Sequence, residues 1–144
     1  MRRWKRRWRR RTTADLRMLG LARRAGRLEI GEEAVGTAAR AGKAALVLLA
    51  ADASENTKKR AESFAYTAGA PLANLDCGKA ELGRALGLDG PAMAAVTDPG
   101  LAAAVAAKLA AGDPERYGSA LEKLLASQPA REKIRGRRDK KRQG

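Results

Sequence analysis

The sequence contains no histidine, and it has a single cysteine, Cys77, among 144 residues. Histidine is the usual general base at neutral pH and a common zinc ligand. We therefore expect neither a metal site nor histidine-based catalysis. One cysteine also excludes a disulfide within the chain.

Aromatic residues and long apolar runs are scarce as well. The chain has one Phe, two Tyr and two Trp, although 44% of its residues are hydrophobic. Its length suits one domain, whose core should be aliphatic. No run approaches the roughly 20 apolar residues of a membrane span, and the basic start is not followed by the apolar stretch of a secretory signal. We expect a cytoplasmic protein without a transmembrane segment.

The sequence offers little for an active site. Neither GxxxxGK[ST] nor a GxGxxG after a predicted strand occurs. The candidate nucleophiles are Ser54, Ser63, Thr97 and Cys77, and none of them has an evident base partner. Glu32 and Glu33 are adjacent and diverge by about 100° on a helix, so both cannot face one substrate. We predict a protein that is not an enzyme, with no cofactor and no small-molecule substrate.

Positive charge is abundant and lies at the two ends of the chain. The formal net charge is +14. Residues 2–11 hold eight Lys or Arg and no acid, whereas residues 128–144 hold eight against two acids. The stretch 12–127 between them has fourteen of each sign. Two polycationic segments around a neutral domain are typical of a polyanion-binding protein.

The N-terminal basic segment also carries two tryptophans spaced by four residues, which would share one face of a helix. Such a segment can contact RNA phosphates and stack on unpaired bases, it suits an anionic membrane surface equally well, or it is a linker. In the first case its RNA contacts would be Arg2, Arg3, Trp4, Arg6, Arg7 and Trp8.

Apolar periodicity predicts helices and strands in alternation. The run AALVLLAA is short and continuous, as expected of a central strand covered on both faces. Asp52 and Glu55 resemble a loose capping box at the start of a helix. The alternation predicts an α/β fold, a three-layer α-β-α sandwich with a mostly parallel or mixed sheet. The predicted helices cover about 14–25, 34–41, 52–68, 79–86, 99–109 and part of 112–127. The predicted strands are 44–51, 72–75 and 92–96, and residues 28–30 form a short alternating piece. The last helix either docks on the domain or forms a stalk.

Gly31 lets the chain turn sharply into the second helix, whose free amides can meet a phosphate or a base edge. The basic residues Arg27, Arg40 and Lys43 lie at the two ends of this region. Many helices begin with glycine and an acid, however, and Glu32 and Glu33 also suit the positive end of a helix for purely structural reasons. The spacing alone leaves both interpretations open.

Several collinear segments resemble the bacterial YlxQ proteins, members of the kink-turn-binding ribosomal-protein superfamily of archaeal and eukaryotic large subunits. They are LGLARRAGRL, IGEEAV, RAGKAALVLLAADASENTKKR, KAELGRALG and AVTDPGLA, within residues 16–109. The resemblance implies a sandwich that binds kinked, internally looped RNA, without catalysis, in association with ribosomes or translation. We expect a monomer with a basic extension (1–13), this domain (14–111), an additional helix (112–127) and a disordered basic tail (128–144).

The resemblance also implies which residues contact RNA. In this family the RNA meets the glycine-led start of the second helix and the loop before the last strand. Thr37 stands where the family usually has lysine, and Ala34 where archaeal members have glutamate. The implied contacts are Arg27, Gly31, Glu32, Glu33, Thr37, Arg40 and Lys43, with Leu88, Asp89, Gly90, Pro91, Ala92 and Met93 in the loop. The alternatives are a protein-interaction module and a general polyanion or membrane-surface binder driven by the basic ends.

Overall fold

Residues 16–126, the part of the chain that this computed structural model describes, contain four strands and six helices, which alternate until the last two helices follow each other directly. The predictions for residues 1–13 and 128–144, including the Arg/Trp contacts, lie outside it. In chain order the elements are α1 (Arg17–Arg24), β1 (Leu28–Ile30), α2 (Glu32–Arg40), β2 (Leu46–Leu49), α3 (Glu55–Ala68), β3 (Leu72–Asn74), α4 (Lys79–Leu86), β4 (Met93–Val96), α5 (Pro99–Gly112) and α6 (114–126).

The strands form one mixed sheet in the order β1-β4-β2-β3. β4 is antiparallel to both of its neighbours, with Ala95 opposite Glu29 of β1 and opposite Val47 of β2. The β2–β3 pair is parallel. The apolar run of residues 44–51 forms the inner strand β2, as predicted, although its regular part is shorter than the run.

Alternate side chains of the two inner strands point to opposite faces of the sheet, which is the normal period of a strand. Leu48 and Val96 belong to a core packed with residues of α1, α4, α5 and α6, whereas Val47 and Met93 belong to a core packed with residues of α2 and α3. Both cores are mainly Ala, Leu and Val. The predicted three-layer sandwich with a small mixed sheet is confirmed.

Helix α6 docks on the first of these cores. Tyr117 and Leu124 are buried in it. The Tyr117 hydroxyl accepts a hydrogen bond from the Asp76 backbone nitrogen at 3.1 Å and donates one to Asp76 Oδ1 at 3.3 Å. Burial raises the pKa of this hydroxyl, which keeps it protonated and able to donate. The sequence left open whether this helix docks on the domain or forms a stalk, and in the described residues it docks.

The predicted capping of α3 by Asp52 is wrong. The N-cap is Ser54, whose side chain accepts a hydrogen bond from the Thr57 backbone nitrogen at 3.2 Å. Asp52 Oδ1 instead accepts one at 2.8 Å from the backbone nitrogen of Lys79, the first residue of α4. Asp52 lies two residues ahead of the N-cap Ser54, and tertiary folding brings the start of α4 to it.

Candidate functional site

The turn between β1 and α2 depends on Gly31. Its backbone has φ 96° and ψ 159°, a region open essentially only to glycine. Its amide donates a hydrogen bond to the Met93 carbonyl at 3.0 Å, and a Cβ at this position would meet no heavy atom within 4 Å. Gly31 therefore directs the start of α2 into open space beside the end of the loop that leads into β4.

Glu32 faces α3. Its Oε1 accepts a hydrogen bond from the Thr57 hydroxyl at 2.8 Å, and its Oε2 accepts one from Arg60 at 2.8 Å. The Ser54 hydroxyl in turn donates to Thr57 Oγ1 at 3.0 Å, so the cap of α3 and the first turn of α2 belong to one network. The Thr57 hydrogen bond, assisted by Arg60, lowers the pKa of Glu32 below its ordinary 4.5.

This network predicts a pH-dependent effect of Glu32→Gln. Because the folded state lowers the pKa of Glu32, the carboxylate stabilises the fold fully above pH 4.5 and loses this contribution as the pH falls below it. We expect urea denaturation to show Glu32→Gln less stable than the wild type by a constant difference near neutral pH, and that difference to shrink at acid pH. A difference that stays constant down to about pH 3, well below the ordinary carboxyl pKa, contradicts this prediction.

Glu33 and Thr37 occupy the exposed side of α2. The Thr37 hydroxyl donates to the Glu33 backbone carbonyl at 3.0 Å, an ordinary interaction within a helix. The Glu33 side chain is exposed. Glu33 is therefore directed outward at the first turn of α2, whereas the adjacent Glu32 is held against α3.

Two neighbouring depressions on α2, which share Ala34, gather the seven residues predicted around this helix. One encloses about 810 Å³ beside the helix start and brings Arg40 to the same surface as Gly31, Glu32 and Glu33. The other encloses about 420 Å³ and brings Arg27, Thr37 and Lys43 together. These residues, all within positions 27–43, thus form one continuous surface, which we call the α2 surface.

The loop 88–93 lies against the α2 surface at its end. Leu88, Asp89 and Gly90 are exposed, and Pro91 and Ala92 are half-buried. Met93 is already part of β4 and its side chain is fully buried. Met93 can therefore contribute to a binding surface only through its backbone, and its carbonyl is bonded to Gly31.

Sequence reasoning missed three residues that support the α2 surface or the loop. Thr57 and Arg60 hold Glu32, and the signal for them was the capping serine followed by the basic stretch of α3. Gly83 of α4 lies under the loop, and a Cβ there would be 2.5 Å from the Leu88 carbonyl oxygen and 2.9 Å from the Gly90 nitrogen. No pattern in the sequence marks Gly83, because its role depends on a loop that folds back over α4.

The α2 surface keeps free positive charge. The ion pairs found among residues 16–126 join Arg60 to Glu32 at 2.8 Å and Arg116 to Asp113 at 3.5 Å. Within that range Arg27, Arg40 and Lys43 are exposed and have no acidic partner. Three cations are therefore available to an anionic ligand, although the carboxylates of Glu29 and Glu33 line the same depressions.

The other chemical candidates contribute little to a site. Burial, with a smaller effect of Glu81 and Asp76, raises the pKa of the Cys77 thiol to about 12, so it stays protonated and unreactive. Among the described residues, no three His, Cys, Asp or Glu side chains lie close enough to hold a metal ion. None of the described helices is long and apolar enough to span a bilayer.

Comparison with known proteins gives consistent matches. The sequence model of the ribosomal protein L7Ae/L30e/S12e/Gadd45 family matches residues 16–106. The RNA-binding protein YlxQ of Bacillus subtilis (strain 168) is 39% identical over 85 residues, which are 59% of this chain and 84% of that protein.

Solved structures show the same architecture. A protein of unknown function from Bacillus halodurans superposes with a TM-score of 0.61 at 35% identity, covering 66% of this chain and 95% of its own. The Giardia lamblia 15.5kD RNA binding protein superposes with a TM-score of 0.54 at 21% identity, covering 72% of this chain and 88% of its own. The latter likeness concerns the fold.

Proposed function

This chain belongs to the ribosomal protein L7Ae/L30e/S12e/Gadd45 family, and from that premise we propose that it is a non-catalytic RNA-binding protein that recognises kink-turn-like RNA. The YlxQ relative is named for RNA binding. The proposed contacts are the α2 surface, with Gly31, Glu32, Glu33 and Thr37, and the loop 88–92. The proposed phosphate contacts are Arg27, Arg40 and Lys43.

One observation carries this proposal: a glycine-led helix start opens beside an exposed loop and is flanked by three cations without acidic partners in the described range. Free amides at a helix start bind phosphates and other acceptors, and exposed Arg and Lys neutralise a nucleic-acid backbone. We expect a bent RNA to contact the helix start and the loop together, and a straight duplex to contact less of this surface.

Two features modify the proposal. Thr37 replaces the lysine that the resemblance leads us to expect, and its hydroxyl is bonded to the helix backbone. One phosphate contact fewer lowers the salt dependence of binding by about one unit of slope. The sixteen basic residues of the two ends would compensate through non-specific attraction. We also propose a cytoplasmic monomer that works with the ribosome or with translation.

The test compares a kink-turn RNA with a straight duplex of equal length across a salt titration. It uses the full chain and a version spanning residues 12–127, which includes every described helix and strand. We expect the shorter version to keep its preference for the kinked RNA at moderate salt, while its overall affinity and salt dependence fall.

If the preference for kinked RNA is lost when the basic ends are removed, the proposal is wrong. The protein would then be a general polyanion binder driven by its basic ends. Circular dichroism of the shorter version, compared with the full chain, shows whether it is folded.

A further inference from the structure

A second basic depression lies on the opposite side of the sheet, between the last turns of α1 and α4. It encloses about 500 Å³ and is lined by Gly20, Arg23, Arg24, Arg84 and Gly87. The remaining lining residues are apolar, and no acidic residue contributes to it. We call it the arginine groove.

Arg23 of the groove has a structural role. The Arg23 guanidinium donates a hydrogen bond to the Leu86 carbonyl at the end of α4, which satisfies a carbonyl that the helix itself leaves free. Arg24 and Arg84 are exposed. Within residues 16–126 neither of them makes an ion pair or a side-chain hydrogen bond.

The groove keeps a net positive charge even though two helices end there. Each helix C-terminus carries at most about −0.5 of a unit charge, so three guanidinium groups leave roughly +2. Guanidinium groups bind phosphate oxygens with two parallel hydrogen bonds. Gly20 and Gly87 carry no side chains, so a sugar-phosphate backbone can come close at these two lining positions.

The groove is linked to the proposed interface along the chain, because Gly87 directly precedes Leu88 of the exposed loop. We propose that the arginine groove binds backbone phosphates of a second segment of the same RNA, in the duplex that flanks the kinked element. This inference rests on the proposed function. It assigns to Arg24 and Arg84 direct phosphate contacts outside the α2 surface.

The experiment uses the full chain carrying Arg24→Gln and Arg84→Gln together. The matched control carries Lys108→Gln and Lys123→Gln, which remove the same charge from exposed positions of α5 and α6. Both proteins are titrated with salt on a kinked RNA with a long flanking duplex and on the same RNA with that flank removed. Thermal unfolding checks that all four substitutions leave the fold intact, as expected at exposed sites.

On the long RNA, each lost phosphate contact reduces the drop in affinity between about 50 and 200 mM salt by roughly 3.5-fold. On the long RNA we therefore expect the affinity of the groove variant to fall about tenfold less than that of the control over this salt range. On the short RNA we expect the two proteins to agree. Equal salt sensitivity on the long RNA overturns the inference, and so does an equal difference on both RNAs.

The wild-type chain separates this inference from the proposed function. Its preference for the kinked RNA over a straight duplex tests the proposed function alone. The difference between the groove variant and its control tests the groove alone, because the basic ends and the α2 surface are the same in both proteins.

Discussion

Gly83→Ala is expected to displace the loop 88–93 and to reduce both stability and RNA recognition. The new Cβ would lie 2.5 Å from the Leu88 carbonyl oxygen, 2.9 Å from the Gly90 nitrogen and 3.1 Å from Gly90 Cα. All three atoms are backbone, so no side chain can rotate away, and the loop must move. Overpacking of this kind costs about 1–3 kcal/mol.

The displaced loop would also lose its anchorage. The Leu88 amide donates a hydrogen bond to the Gly83 carbonyl at 2.8 Å, and the loop ends at Met93, whose carbonyl accepts from Gly31. Because this loop forms one side of the proposed interface, we expect the preference for kinked RNA to fall along with the unfolding free energy. Urea denaturation and the two-RNA binding comparison measure the two effects.

Gly118→Ala is the matched control for Gly83→Ala. Gly118 lies in α6, and a Cβ there would meet no heavy atom within 4 Å. Alanine in place of a helical glycine should stabilise the protein by up to about 1 kcal/mol. If Gly83→Ala is as stable as the wild type and keeps its RNA preference, the close approach of the loop to α4 does not govern its position.

Gly31→Ala is expected to reduce kinked-RNA binding more than any other single substitution proposed here. At φ 96° and ψ 159° an alanine is strained by about 1–3 kcal/mol. The surrounding space is open, so the backbone can relieve the strain by rotating the turn. A relaxed turn moves the first amides of α2. RNA binding must then restore their position at the cost of the same strain energy, which lowers the affinity by about 5- to 150-fold.

Gly69→Ala separates strain from recognition. Gly69 also has a positive φ, 65°, with no heavy atom within 4 Å of a Cβ, but it ends α3 and lines neither depression of the α2 surface. Both variants should lose unfolding free energy, whereas only Gly31→Ala should lose the kinked-RNA preference. Binding of the straight duplex, which depends on the basic ends, should stay nearly unchanged in both. An equal preference in the two variants would place the RNA site elsewhere.

Local features of the sequence were enough to predict the elements and the layers. Apolar periodicity and the glycines at the ends of elements located α2, β2 and α4 within a few residues, because these segments follow the helix and strand periods strictly. The run of residues 44–51 predicted a buried inner strand, since a short strand covered on both faces is apolar throughout. The family resemblance of residues 16–109 rested on collinear segments, which need no three-dimensional information.

The roles of single polar residues could not be predicted in the same way. Asp52 resembled a cap of α3 and instead binds the start of α4, 27 residues away along the chain. Glu32 resembled a free acid at a helix start and is held by Thr57 and Arg60. Hydrogen-bond partners distant in sequence depend on how the helices pack, and no local pattern records that packing.

By itself, the sequence determined the charge layout, the order of helices and strands and the aliphatic core, because each follows from composition or from a period of a few residues. The tertiary structure alone decided the strand order β1-β4-β2-β3, the approach of the loop to Gly83, and the meeting of Arg24 with Arg84 in one groove. The strand order and the groove join segments dozens of residues apart, whereas the approach to Gly83 depends on how the loop folds back over α4. The sheet pairing and helix packing that bring these segments together arise from many parts of the chain at once.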